Sequence, residues 1–333
     1  MSESAANAGR SEPKWRFRAS VPTGMLGYSV LAATLAAYVA VYSTRLHHLP
    51  TLFDYTAILD AALPLVFVAL GQSLVVLTGG IDLSVGGVMS MCVTLIATQV
   101  HGGALRSLAA VGAVLVVGAI AGAVNGLVVA RRRIAPILAT LATLSIYSGV
   151  ALKILPEPGG SAPAGLTAAV ANPSNPVALL WILLVAGSWF LFRRTLFGLR
   201  IFAVGSDESS ARAVGVPAVR VKIAVYALSG LFSALGAIAY VATTTTGDPT
   251  AGSPFVLTSI AAVVVGGIAF RGGRGSAMGA LAGALALTLV IDVLFFAGID
   301  PLYQPLFQGL FLVVAVLLGG GLTLASRLRE TRR

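Results

Sequence analysis

Three carboxylates, Asp60, Asp82 and Asp292, stand within or at the end of long apolar runs. A charge at the centre of a bilayer costs about 2.5–3.5 kcal/mol on insertion scales, so such residues are the first candidates for function. Asp60 falls near the outer end of the second apolar run and Asp292 in the outer half of the ninth. Either can hydrogen-bond a polar solute in a central path; either can instead cap a helix or pair within the bundle. Asn125 is polar inside the small-residue run 118-GAIAGAVNG-126 and suits an interhelical hydrogen bond or a substrate contact. Two shallow carboxylates do not make the deep acidic relay of a proton-coupled carrier. Other reactive residue types do not assemble a catalyst. His47, His48 and His101 lie between apolar runs without metal-ligand spacing to carboxylates or cysteine, so no metal site is expected. Cys92 is the single cysteine and lies in an apolar stretch, which excludes an intramolecular disulfide and suits a buried, inert thiol. Paired catalytic carboxylates and a nucleophile–base pair are both missing. The run 271-RGGRGS-276 lacks the lysine and spacing of a phosphate-binding loop.

The elements that position these residues are membrane spans. Of 333 residues, 57% are hydrophobic and 10% charged, against about 25% charged in a soluble domain. A soluble fold this apolar could not cover its surface. Apolar runs cover residues 24–43, 55–78, 85–100, 108–130, 134–152, 176–192, 222–243, 255–270, 276–297 and 305–325. The first is too long for a signal-peptide core and reads as an uncleaved helix. The expected fold is all-α, a polytopic membrane protein with about ten transmembrane helices and both termini cytoplasmic. Residues 1–23 form an N-terminal tail, 24–325 the transmembrane domain with a cytoplasmic loop at 193–221, and 326–333 a C-terminal tail. The net charge of +10 fits this arrangement. Of the 22 Lys and Arg, only Arg45, Arg106 and Lys153 fall outside the segments that ten spans place inside. Clustering between spans orients a chain in a membrane and does not point to nucleic acid.

The third and eighth runs are short and adjoin glycine-rich segments, which suggests broken or re-entrant helices held inside a bundle. The irregular segment of residues 79–87, with Gly79, Gly80, Asp82, Ser84 and Gly86, is therefore expected in the bundle interior, shaping an inner gate. Asp82 there caps the following half-helix or holds a neighbouring loop. Residues 153–175, rich in Pro, Gly, Ala and Ser, form an outside loop. The basic inside loop 193–221 carries a helix signal of its own. Ser206 or Asp207 can cap it, Asp207 and Glu208 suit the positive end of its dipole, Arg212 sits late, and Gly215 can end it. Such a helix suits docking; a solvated, orienting loop is the plainer alternative.

Four stretches raise this above a generic membrane protein: 71-GQSLVVLTGGIDLSVGGVMS-90, 125-NGLVVARRRIAPILATLATLSIYSGVAL-152, 195-TLFGLRIFAVGSDESSARAVGVPAVRVK-222 and 257-LTSIAAVVVGGIAFRGGRGSAMGALAGAL-285. In this order and spacing the chain resembles the permease subunits of ribose-type sugar importers of the ATP-binding cassette class, over roughly residues 25–325. The resemblance implies a permease, not an enzyme, in the bacterial cytoplasmic (inner) membrane, importing a small neutral sugar along the two-fold axis of a homodimer. It implies a tandem ATPase that carries the ATP and Mg, so that no cofactor binds this chain, and a soluble binding protein that delivers the solute. Gly205, Ala211, Arg212 and Gly215 match the coupling segment of that family. Its usual Asn-Pro-Glu-Ala-Ala is replaced here by Asp207, Glu208, Ser209, Ser210 and Ala211. The alternatives are another polar solute (a polyol, nucleoside or amino acid) moved by the same architecture, or a self-sufficient secondary carrier.

Overall fold

In lipid every backbone polar group must find a partner within the protein, and the helix satisfies that demand locally. The computed structural model describes residues 25–100, 103–304, 306–311 and 313–314, and its elements are α-helices with short connections. Among the described residues six helices are long and apolar enough to cross a membrane: α1 (Met25–Leu46), α2 (Leu52–Leu77), α4 (Ala104–Arg132), α5 (Pro136–Ile154), α10 (Ala218–Thr244) and α12 (Ala277–Phe296). Three expected spans are shorter: α3 (Val85–Gln99), α7 (Val177–Phe192) and α11 (Ser253–Val265). At 1.5 Å per residue they rise only about 20–24 Å, less than a hydrocarbon core of about 30 Å. The expected run 305–325, the N-terminal tail with its basic cluster, His101 and the C-terminal tail lie largely or wholly outside the described residues.

The loops hold more structure than the sequence reading gave them. A short helix, α6 (Ala164–Val170), forms within the outer loop. The basic loop 193–221 contains two helices, not one. Beside α9 (Glu208–Ala213) stands α8 (Leu196–Ser206), bent by 76° from α7. The Thr195 side chain caps α8 by accepting from the Gly198 amide. The apolar 196-LFGLRIF-202 supplies a face for packing, which a reading weighted on the neighbouring arginines passed over.

The core is built around α2, whose residues from Ala62 to Leu77 are all buried. It packs on α10, α11, α12 and α7, while α3 lies between α5 and α10, and α1 lies on α12. A lipid-facing helix must show opposite faces to protein and acyl chains, and α4 does so plainly. Val116, Ile120, Val124 and Leu127 form an exposed stripe. Gly118, Gly122 and Gly126 lie along the other side against α10. A Cβ on Gly122 would fall 2.0 Å from the Tyr226 carbonyl oxygen. The two backbones are thus as close as helices can come, so dispersion rather than the hydrophobic effect joins them. The run 279-GALAGALA-286 does the same for α12 on α11, where a Cβ on Gly283 would meet the Ala262 carbonyl at 2.2 Å.

Gly159 and Gly247 exchange two backbone hydrogen bonds of 2.9 and 2.8 Å, and the Ser161 amide donates to the Ala97 carbonyl. These contacts tie the connection between α5 and α6 to the ends of α3 and α10.

Gly122→Ala should push α4 off α10 and destabilise the permease by about 1–3 kcal/mol, the usual range for overpacking. Gly112→Ala, on the same helix with nothing within 4 Å of its Cβ, should gain about 0.5–1 kcal/mol from helix propensity. Thermal unfolding of the two detergent-purified variants checks the opposite signs.

Candidate functional site

The irregular segment between α2 and α3 begins where α2 is stopped. Gly79 takes φ +78°, its amide donates to the Val76 carbonyl and the Gly80 amide to the Val75 carbonyl. These are the two bonds of a Schellman motif, whose left-handed residue is glycine because a Cβ is unfavourable there. The chain then turns inward and Asp82 and Ser84 are each 1% exposed. Burying a carboxylate is costly unless it is hydrogen-bonded. Asp82 Oδ1 accepts from the Ser84 amide at 3.0 Å and Ser84 Oγ at 2.6 Å, and Oδ2 accepts from Ser229 Oγ of α10 at 2.8 Å. Asn125 Nδ2 of α4 donates to Ser84 Oγ at 2.6 Å, and the Leu83 amide donates to Thr140 Oγ1 of α5 at 3.0 Å. One turn is therefore fastened to three helices. Gly80 lies against the Tyr226 hydroxyl, which a Cβ would approach to 2.7 Å, and Gly86 lies against Gly252 and Val256.

Immediately before this turn, three backbones converge. The Leu77 carbonyl accepts from the Gly273 amide at 2.9 Å. Gly205, near the end of α8, is so close that a Cβ would sit 1.8 Å from the Leu77 oxygen and 2.5 Å from the Gly273 nitrogen. Gly272 and Gly273 have positive φ and lie against Gly79, Gly205 and Ser206. The run 271-RGGRGS-276, which lacks the lysine and spacing of a phosphate loop and lies in the last of the four resembling stretches, thus joins the end of α2 to the basic loop. Its glycine density was the available signal, but nothing in it names the partner backbones.

In the basic loop, Asp207 rather than Ser206 caps α9. It accepts from the Ser209 and Ser210 amides at 2.8 and 3.1 Å, while Ser206 Oγ bonds back to the Phe202 carbonyl. The hydrogen bond from the Ser209 hydroxyl, with the two amide bonds, holds the Asp207 carboxyl below its ordinary value. Gly215, at φ +86°, ends α9 with a second Schellman pair, Gly215 to Arg212 and Val216 to Ala211. Burial opposes ionisation of Glu208, yet hydrogen bonds from Lys222 and Arg212 outweigh it and hold its carboxyl low. Lys222 begins a face of α10 that continues through Tyr226 to Ser229, at i, i+4 and i+7. One helix thus connects the pair on α9 to the carboxylate of Asp82.

The three residues first considered for a solute path are not brought together. Asn125 joins the Asp82 network, with its Oδ1 left without a protein partner among the described residues. Asp60 is buried in the N-terminal half of α2, about 25 Å along the axis from Leu77 at 1.5 Å per residue. It lies one turn after Thr56, whose hydroxyl donates to the Pro173 carbonyl of the outer loop. Asp292 lies on α12 close to Tyr38 of α1, at the flank of the bundle. Cys92 is fully buried. Among the described residues no group of three or more His, Cys, Asp or Glu side chains is gathered. This arrangement can hold and transmit a displacement; it presents no activated nucleophile.

A family model described as Branched-chain amino acid transport system / permease component matches residues 55–316. The chain is 32% identical to the ribose import permease protein of Escherichia coli strain K12 over 293 residues, 85% of this chain and 90% of the relative. It is 34% identical to the ribose import permease protein of Bacillus subtilis strain 168, over 75% and 80% of the two chains. It is also 34% identical to the autoinducer 2 import system permease protein of Escherichia coli O157:H7, over 84% and 82%. No solved structure matches the chain.

Ser229→Ala removes the bond that ties Asp82 to α10. Loss of a hydrogen bond to a charged group should cost about 1.5–3 kcal/mol. Ser233→Ala removes only a bond to the Ser229 carbonyl of the same helix and should be nearly neutral. Thermal unfolding of the two variants should separate them; equal midpoints would remove Asp82 from its place at the centre of the fold.

Proposed function

The chain belongs to the family of the branched-chain amino acid transport system permease component, and from that premise we propose that it is the membrane-spanning permease of an ATP-driven importer of a small neutral sugar. It is a transport subunit and not an enzyme; ATP and its Mg are bound and hydrolysed by a separate ATPase. A soluble binding protein delivers the solute from outside. The sugar assignment rests on the relatives named for ribose and autoinducer 2 import. The permease works as a homodimer in the bacterial cytoplasmic membrane, with ten spans and both termini inside. The bias of Lys and Arg supports that orientation, as does the position of the ends of α2 and α8 beside residues 271–276.

The observation that carries the mechanism is the junction at Leu77. Closure of the ATPase dimer on α9 moves α8 and α9 as a body. Gly205 presses directly on the Leu77 carbonyl with no side chain to absorb the movement. The displacement reaches the end of α2 and the turn through Asp82, which forms the inner gate. A second route runs from Glu208 through Lys222 along α10 to Ser229. Two packed arrangements biased by nucleotide suffice; no continuous deformation is required. Asp207, Glu208, Arg212 and Gly215 shape the docking helix, Arg212 retaining an exposed edge beyond its pair with Glu208. Asn125 holds the gate, while Asp60 and Asp292 stand away from it.

Reconstitution with ATPase and binding protein tests this. Gly205→Ala, whose Cβ would fall 1.8 Å from the Leu77 oxygen, must displace α8. In variant permease that thermal unfolding shows still folded, the ATPase should stay bound and hydrolysing while solute uptake falls about 2–30-fold, the span of coupling changes of about 0.5–2 kcal/mol. Gly215→Val, forced to positive φ, should also uncouple. Uptake by this chain alone, driven by an ion gradient and indifferent to both substitutions, would refute the importer reading. For topology, an impermeant thiol reagent applied to intact cells should label Ala164→Cys and spare Ser206→Cys; the reverse pattern would overturn ten spans.

A further inference from the structure

Beside α9, the inner end of the bundle holds a cavity of ≈ 470 Å³ between the α4–α5 connection and the basic loop. Its charged lining is three cations, Arg133, Arg212 and Lys222, against one carboxylate, Glu208. Glu208 is shared between Arg212 and Lys222. Arg133 has no hydrogen bond or ion pair among the described residues. It ends α4 in the left-handed conformation, φ +56° and ψ +30°, uncommon for a residue with a long side chain. That conformation turns the chain so that α5 can start at Pro136, and no side chain caps the amides of its first turn. The result is a concentration of cationic side chains with one of them unpaired, at the end of two membrane-capable helices and so at headgroup depth.

Of the uncharged lining, Val129, Ala130, Ile134, Ala135 and Pro136 are apolar and Ser209 is polar. Next along α5 after Pro136, the apolar Ile137, Leu138 and Leu141 are 48%, 65% and 48% exposed. An anion-binding cavity continuous with an acyl-binding face has the shape of one amphiphile. We propose that this cavity binds the headgroup of an acidic phospholipid, whose acyl chains lie along α5. Its volume is within the range of sites for molecules of headgroup size, and basic pockets between membrane helices are a known means of holding such headgroups. A soluble acidic segment of the ATPase would satisfy the cations but make no use of the exposed apolar residues at the start of α5. Bound lipid would bridge the α4–α5 connection and α9, setting the resting position of the docking helix. The assignment to the inner leaflet rests on the topology proposed above; the binding itself does not.

The test uses the purified full chain in mixed micelles of equal phosphatidylglycerol and phosphatidylcholine, with retained lipid counted by native mass spectrometry. Wild type should retain phosphatidylglycerol in excess. Arg133→Gly suits the left-handed backbone and removes the charge, and should cut that preference about fivefold, the contribution of one basic residue at a membrane surface. Arg133→Lys should keep most of it, and Arg193→Gln, an exposed arginine outside the cavity, all of it. Equal retention of the two lipids by wild type, or an unchanged preference in Arg133→Gly, would overturn the proposal. Full displacement by glycerol phosphate at millimolar concentration would place a soluble anion there instead. Loss of ATPase binding in Arg133→Gly with lipid preference intact would assign the cavity to the partner protein. Lipid counting on the permease alone is independent of transport, so failure here leaves the importer reading standing.

Discussion

The carbonyl oxygen of Leu77 is approached by a backbone on which no side chain fits. Gly205 meets it from α8, and the Gly273 amide donates to it from the loop between α11 and α12. Backbone against backbone is the stiffest contact a protein can make, because no rotamer can yield. In the coupling proposed above, that stiffness would carry a small movement of α8 to the end of α2, the most buried of the membrane-capable helices. It also explains the expenditure of four glycines, Gly79, Gly205, Gly272 and Gly273, at one place.

The same point begins a polar network that joins four elements of the described interior, whereas buried Gln72 and Asp60 have side chains without a hydrogen-bond partner there. Asp82 could be dispensed with if the turn had merely to connect α2 to α3. Instead its carboxylate is satisfied by Ser84 and by Ser229 of another helix, and Asn125 and Thr140 hold the same turn from two more. An unsatisfied carboxylate in this setting is expensive, so the network favours one arrangement of four elements over looser ones. If this turn is the gate proposed above, its hydrogen bonds would have to exchange together for it to change state. The glycine faces of α4 and α10 complete the design by letting α10 run close enough for Ser229 to reach the turn.

Much of the fold was legible because lipid imposes a simple code. Long apolar runs gave the helices, small-residue runs gave their contact faces, and Asp207 with Gly215 marked a capped helix in the basic loop. Helix α8 was not legible, since Leu196 to Phe202 lie among arginines that signal a loop and its role is to pack. The partner of Asp82 was hidden for a different reason: a serine in an apolar helix is common, and only three-dimensional placement distinguishes Ser229 from Ser233. Asp60 and Asp292 were placed by depth along the spans, which carries no information on lateral position, whereas Asn125 was marked by its polarity within a small-residue run. The structure puts Asn125 in the centre, Asp60 against the outer loop and Asp292 at the flank. The junction at Leu77 was the least legible, because backbone contacts leave no side-chain pattern beyond the glycines themselves.

The central claim is that α8 and the loop of residues 271–276 move as one body with the end of α2. Pulsed electron–electron resonance on the reconstituted complex measures this directly, with spin labels at Leu199→Cys on α8, Arg271→Cys at the junction and Thr246→Cys at the outer end; buried Cys92 is protected from the label. The account predicts that the 199–271 distance is the same with and without ATP, while both the 199–246 and 271–246 distances change together. A change in 199–271 on ATP binding, with 271–246 unmoved, would contradict it.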